Sequence, residues 1–167
     1  MQGDWVRKPT NGTTVVFVHG ILSSGETCWK NENGTYWPKL LKDEEEFQKF
    51  GIYVYSYQTG IFSGTYSLND VVDDLKERLI YLDNVVDSQK IVFVCHSMGG
   101  IVVRKLLVDR VNDFLDRAIE IGLFLVASPS LGSNSANNKL IKVLVKSLKH
   151  SQAEALKFSQ QNQWLND

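Results

Sequence analysis

The 167-residue sequence has only two cysteines, Cys28 and Cys95, and three prolines. Two thiols are too few for a disulfide framework or a zinc site, and neither lies in ligand spacing with a paired histidine. No run approaches the ~18 apolar residues of a membrane span. The opening MQGDWVRKPT lacks the apolar stretch of a secretory signal. Together these absences predict one domain over residues 1–167 in a reducing, cytoplasmic compartment. The Asn-x-Thr triplets at Asn11 and Asn33 then read as loop composition. Positive charge is not in excess either. Lys and Arg number 18 against 19 Asp and Glu, which argues against nucleic acid as a partner.

Charge is distributed unevenly. Residues 1–130 carry 13 basic and 17 acidic side chains, whereas residues 131–167 carry 5 and 2. The last stretch is therefore a distinct, net-positive element, and residues 137–167 are predicted to be a terminal helical or lid-like segment.

Four short apolar runs stand out: residues 14–18 (TVVFV), 52–57 (IYVYSY), 91–95 (IVFVC) and 121–127 (IGLFLVA). Continuous apolarity rich in Val, Ile and aromatics marks strands buried on both faces, as in a parallel sheet covered by helices. Between them lie segments of helical period. Leu68, Val71, Val72, Leu75, Leu79 and Leu82 share one face, with Ser67 and Asp70 placed to cap its start. Tyr36–Phe50 has Pro38 in its first turn and Trp37, Leu40, Leu41, Phe47 and Phe50 as its apolar set, the acidic run Asp43–Glu46 facing solvent. A third helix starts at Gly99. The alternation of strand and helix calls for right-handed crossovers and an open α/β sheet.

The chemistry concentrates where a strand hands over to a helix. In IVFVCHSMGG, Cys95 stands at the first position of a G-x-S-x-G pentapeptide, the nucleophile elbow. A sharp turn there pushes Ser97 into a strained conformation that lifts its hydroxyl clear of the sheet, and small residues at 95 and 99 let strand and helix approach. Met98 then presents its N–H at the helix start, where unpaired donors and the positive end of the dipole favour an oxyanion. A second donor is expected from the loop after VVFVHG, with Ile21 the candidate and Leu22 in reserve. GILSSGET mimics the spacing of a phosphate-binding loop, but Glu26 stands where Lys would hold phosphate, so nucleotide binding is excluded.

VHGILSSGETCW, YWPKLL, IYVYSY, CHSMGGIVVRKLL and FLVASPSLGS, in this order over residues 14–135, resemble the α/β-hydrolase fold. Within it they resemble the lipase-like serine esterases related to GPI-inositol deacylases and serine-active-site proteins. The resemblance implies that the four runs are the fold's third to sixth strands, in spatial order 4-3-5-6. It also implies Ser97 as nucleophile and the Ile21 and Met98 amides as oxyanion hole. Cys95 replaces the usual Gly, and Ser130 stands where many relatives have His. In this fold the acid and the His of the triad follow later strands, so the resemblance implies an incomplete hydrolase core.

None of the three histidines offers a clear base. His96 adjoins Ser97, His19 sits where relatives shape the oxyanion loop, and His150 ends a Lys-rich helix. Asp109 lies twelve residues along the helix, roughly 18 Å away. Apolar Leu22, Phe62 and Leu131 are candidates to line a pocket for a small hydrophobic ester. No metal or organic cofactor is implied. Three readings follow: a serine esterase, a catalytically silent interaction or sensor domain, and an acyltransferase or thioesterase using the same elbow. Residues 139–149 set Leu140, Ile141, Leu144, Val145 and Leu148 on one face and lysines elsewhere, suited to covering the sheet or to contact with a membrane surface. If the sheet ends at Ile121–Ala127, that run is an apolar edge open to a homodimer or a partner strand.

Overall fold

The computed structural model describes residues 1–20, 23–57 and 67–128. Five strands form one sheet: β1 Gln2–Arg7, β2 Thr13–Val18, β3 Gly51–Ser56, β4 Lys90–His96 and β5 Glu120–Val126. Their order is β1-β3-β2-β4-β5. The four apolar runs become β2 to β5, all mutually parallel, in the spatial order 4-3-5-6 of the expected scheme. β2 and β3 are buried almost throughout, as their unbroken apolarity requires.

Four helices connect or flank them: α1 Trp37–Asp43, α2 Leu68–Glu77, α3 Gly99–Asp109 and α4 Val111–Leu115. α1 lies between β2 and β3, where the chain steps across the sheet in one direction. α2 and α3 lie in the connections that step the other way, so right-handed crossovers put them on the opposite face. The core is correspondingly double. Val16, Val18, Tyr53, Tyr55, Ile91 and Phe93 pack beneath α2 and α3. Val15, Phe17, Ile52, Val54 and Val94 pack against Trp29 on the α1 side.

Three local features differ from the sequence reading or refine it. β1 is antiparallel to β3 and has no apolar run to announce it. It is a strand because of what it meets. The Trp5 ring stands edge-on to Tyr53 at 5.2 Å, and its indole N–H donates to the Asp83 carbonyl at 3.2 Å. Arg78 donates to the Met1 carbonyl at 2.6 Å. The same guanidinium pairs with Asp74 (3.1 Å) and Asp83 (3.6 Å), whose carboxylates accept from the buried Tyr55 and Tyr53 hydroxyls. Arg78 reaches both acids because α2 continues through a wider turn, Arg78–Leu82, in which the Asp83 N–H donates to the Arg78 carbonyl.

The expected helix Tyr36–Phe50 is shorter. It ends at Asp43, Glu44 is extended, and Glu45–Phe47 forms a separate short turn. Four consecutive acids collect at the negative end of the helix dipole, which disfavours continuation. Arg7 meanwhile donates to the carbonyls of Lys42, Phe47 and Phe50, satisfying groups that the break leaves open. Among the described residues β5 is the last strand, and its continuous apolarity is not matched by burial. Leu123, Phe124 and Leu125 are 43%, 55% and 39% exposed. The predicted segment 137–167 lies outside the described residues, as does the whole of helix 139–149. No helix among the described residues is long and apolar enough to cross a membrane.

The expected cap of α2 is present in full: the Ser67 hydroxyl accepts from the Asp70 N–H, and the Asp70 carboxylate accepts from the Ser67 N–H. Ser67→Ala is expected to lower the unfolding free energy by about 1 kcal/mol in urea titrations, with an unchanged m-value.

Candidate active site

β4 ends at His96, α3 begins at Gly99, and Ser97 makes the bend between them with a left-handed φ of 51°. For a residue with a side chain this conformation costs ~1–3 kcal/mol, so the surroundings must impose it. They do so through backbone bonds. The Ser97 N–H donates to the Val126 carbonyl at 2.9 Å, extending the β4–β5 ladder past His96. The Ser97 carbonyl accepts from Gly100 at 3.2 Å as the helix starts. Ser97 itself is half-buried, and no hydrogen-bond partner meets its hydroxyl among the described residues.

The glycines around the bend show how close its neighbours come. A Cβ on Gly20 would lie 2.8 Å from the Ser97 Cβ, so the loop leaving β2 presses directly on the serine. One on Gly99 would lie 2.3 Å from the Val18 carbonyl oxygen and 2.6 Å from that of His19. The small residue at 99 is thus required by the adjacent strand β2, and not by the approach of the elbow's own strand and helix, as the sequence suggests. Cys95 is fully buried beneath the bend, and burial pushes its thiol up to about 12, so it is neutral.

Met98 follows with a buried side chain, its carbonyl accepting from Ile101 and Val102 in the first turn of α3. Among the described residues its N–H has no acceptor, as expected for an amide at a helix start. Of the other candidates, Ile21, Leu22, Phe62 and Leu131 lie outside the described residues, so the second oxyanion donor and these pocket residues are not located. Asp109 is held by Lys105 at 2.6 Å at the far end of α3. Among the described residues, no three His, Cys, Asp or Glu side chains gather as metal ligands.

His19 is placed by two bonds that sequence alone does not reveal. Its Nε2 accepts from the Tyr57 N–H at 3.1 Å, so Nδ1 carries the proton and donates to the Gly20 carbonyl at 2.7 Å. The Tyr57 hydroxyl returns a bond to the His19 carbonyl at 2.9 Å, and the two rings stack at 4.4 Å. This imidazole is a clamp between the ends of β2 and β3, with neither nitrogen left to serve as a base. His96 turns instead toward Trp29, ring centroids 6.3 Å apart. Trp29 also walls a cleft of about 260 Å³ with Cys28, Trp37 and Leu40, rimmed by Lys30 and Thr35. The signal for the clamp is present as Tyr57, the aromatic that ends the IYVYSY run, but nothing local pairs it with His19.

Two measurements test this geometry. Gly99→Ala drives a Cβ into carbonyl oxygens that cannot yield, and it is expected to cost about 3 kcal/mol or more in thermal or chemical denaturation. The pKa values of His19 and His96 are both lowered, first by desolvation on burial. The unfolded chain then binds these protons more readily, so stability is full above the unfolded value of 6.5 and is lost as pH falls from there through the folded values. His19→Phe keeps the stack on Tyr57 but leaves the Tyr57 N–H without its acceptor. It is expected to lower stability near neutral pH by about 1–3 kcal/mol while flattening the loss of stability on acidification.

Known proteins place this geometry in context. No curated protein matches the chain in sequence. Solved structures with the same arrangement include phospholipase PlaB from Legionella pneumophila in complex with thio-NAD, at 20% identity and a TM-score of 0.64, covering 91% of this chain and 33% of that one. A lipase-esterase related protein from Clostridium acetobutylicum has 12% identity and a TM-score of 0.55, covering 88% and 54%. Bacillus licheniformis lipase BlEst2 has 15% identity and a TM-score of 0.54, covering 93% and 60%. The chain therefore spans between a third and three-fifths of these structures. At such identities the likeness establishes the fold, which is that of the α/β hydrolases. A family model described as a domain of unknown function, DUF7379, matches residues 1–165, and the chain belongs to that family.

Proposed function

We propose that this chain is the nucleophile-bearing core of a serine hydrolase that cleaves carboxylic, lipid-like esters through an acyl-serine intermediate. The observation that carries this reading is the left-handed Ser97, held at the carboxyl end of β4 with the Met98 amide behind it and Gly20 against it. In an open α/β sheet, ligands bind at this end of the strands.

The Ser97 oxygen attacks the ester carbonyl carbon as its proton passes to a base. The carbonyl oxygen becomes an anion facing the Met98 N–H, and the Ile21 N–H is the proposed second donor. The C–O bond to the alcohol breaks, the alcohol leaves with the proton, and water then hydrolyses the acyl-serine. Since both His19 nitrogens bind backbone groups and His96 is the immediate chain neighbour of Ser97, the proposed base is an imidazole from beyond this chain. The aromatic walls of the Trp29–Trp37 cleft favour an apolar group on the substrate, with Leu22, Phe62 and Leu131 as proposed additional contacts.

A second reading is a catalytically silent hydrolase-like module. It is favoured by the engagement of His19 and by the pairing of Asp109 with Lys105. Labelling of the purified chain with a fluorophosphonate probe separates the two. The hydrolase reading expects slow covalent labelling that is abolished in Ser97→Ala, and 4-nitrophenyl ester turnover within the ~10³–10⁴-fold acceleration left to hydrolases that lack a triad member. A folded protein that takes up no probe, or one labelled equally in Ser97→Ala, supports the silent module.

A further inference from the structure

The triplet Asn-Gly-Thr occurs twice, at residues 11–13 in the turn between β1 and β2 and at residues 33–35 ahead of α1. Both asparagines are exposed, and both glycines are left-handed, with φ of 74° at Gly12 and 87° at Gly34. Glycine alone adopts such angles without strain, and its bare nitrogen is the least hindered backbone nucleophile for the side chain before it. The two side-chain carbonyls are alike. Asn11 Oδ1 accepts from the Thr13 N–H at 3.1 Å, and Asn33 Oδ1 accepts from the Thr35 N–H at 3.0 Å and the Thr35 hydroxyl at 2.6 Å. Each bond folds the side chain back along its peptide link to the glycine and draws electron density from Cγ. The two nitrogens differ. The Gly34 N–H donates to the Asn31 carbonyl at 3.0 Å, and the Thr35 N–H also binds Asn31 Oδ1 at 2.9 Å, so that turn is tied down. The Gly12 N–H has no acceptor among the described residues.

We propose that Asn11 is a site of spontaneous deamidation and that Asn33, in the same triplet, is protected by its turn. The Gly12 nitrogen loses its proton to solvent base and bonds to Asn11 Cγ. The bond from Cγ to the side-chain nitrogen breaks, ammonia leaves with a proton from water, and a cyclic imide remains. Water then opens the ring at either carbonyl. Attack at Cγ restores the main chain with aspartate in place of asparagine. Attack at the main-chain carbonyl leaves isoaspartate, whose backbone runs on through Cβ and Cγ and is one carbon longer. Either product carries one more negative charge, but they act differently on the sheet. The Gly12 carbonyl accepts from the Lys90 N–H at 3.0 Å, beside the Thr13–Lys90 pair where β2 and β4 begin. Aspartate keeps this bond and gives the Thr13 N–H a charged acceptor. Isoaspartate shifts the Gly12 carbonyl away from Lys90 and loosens the sheet at the end opposite Ser97.

The test follows the full chain in mildly alkaline buffer, folded and in urea. Mass spectrometry of the peptides that hold each asparagine reads the amide-to-acid change, with fragmentation that separates aspartate from isoaspartate. In the folded protein Asn11 is expected to convert about fivefold faster than Asn33, the factor that one ordinary hydrogen bond on the Gly34 N–H withholds. In urea the two rates are expected to converge, because the reacting residues are the same in both triplets. Asn11→Asp is expected to unfold at the urea concentration of the unaged protein, and the isoaspartate fraction of an aged sample at a lower one. Equal rates in the folded protein, faster conversion at Asn33, or a preference for Asn11 that persists in urea overturns the proposal.

Discussion

The left-handed bend at Ser97 is the constraint on which the rest of the site depends. An L-residue does not remain there unaided. Its amide is fixed to β5 through Val126, its carbonyl is drawn into the first turn of α3, and Gly20 and Gly99 let the end of β2 close on it. Each contact comes from a different part of the chain, so the conformation reports correct assembly of three parallel strands. The strain is local, but the forces that balance it are spread through the sheet.

His19 and Tyr57 extend this logic to the neighbouring loop. A buried imidazole with one acceptor and one donor nitrogen joins the ends of β2 and β3 only in its neutral form, with the proton on Nδ1. Desolvation, the largest influence, lowers its pKa and favours that neutral form, and it outweighs the bond to the Gly20 carbonyl, which acts the other way. The residue that resembles a catalytic base in the sequence is better understood as the fastening of the loop that carries Gly20 against the serine. The stacked Tyr57 ring excludes water from that fastening.

Much of this was legible in the residues. Unbroken runs such as TVVFV and IVFVC disclose strands buried on both faces, and Ser67 with Asp70 discloses a helix start, because these signals are local and strong. β1 was not legible, since QGDWVR becomes a strand through Trp5 on Tyr53 and Arg78 on Met1, contacts that span more than forty residues. The early end of α1 was hidden for a similar reason: its broken carbonyls are taken up by Arg7 from another element. At the site, the bend at Ser97 follows from the order of residue types. The role of Gly99 does not, because its reason lies in the carbonyls of β2 and not in the segment that contains it.

The two borders of the sheet are built differently. Along β1, the pairing with β3 slips between Trp5 and Arg7, and Gln2 and Asp4 stand exposed. Such irregularity and charge deter a foreign backbone. Along β5 nothing comparable interrupts Ile121–Val126. Among the described residues strand addition therefore has one open border, and two molecules joined along it would have no second border of that kind to offer a third. Such an association would stop at a closed pair and would not run on into a filament.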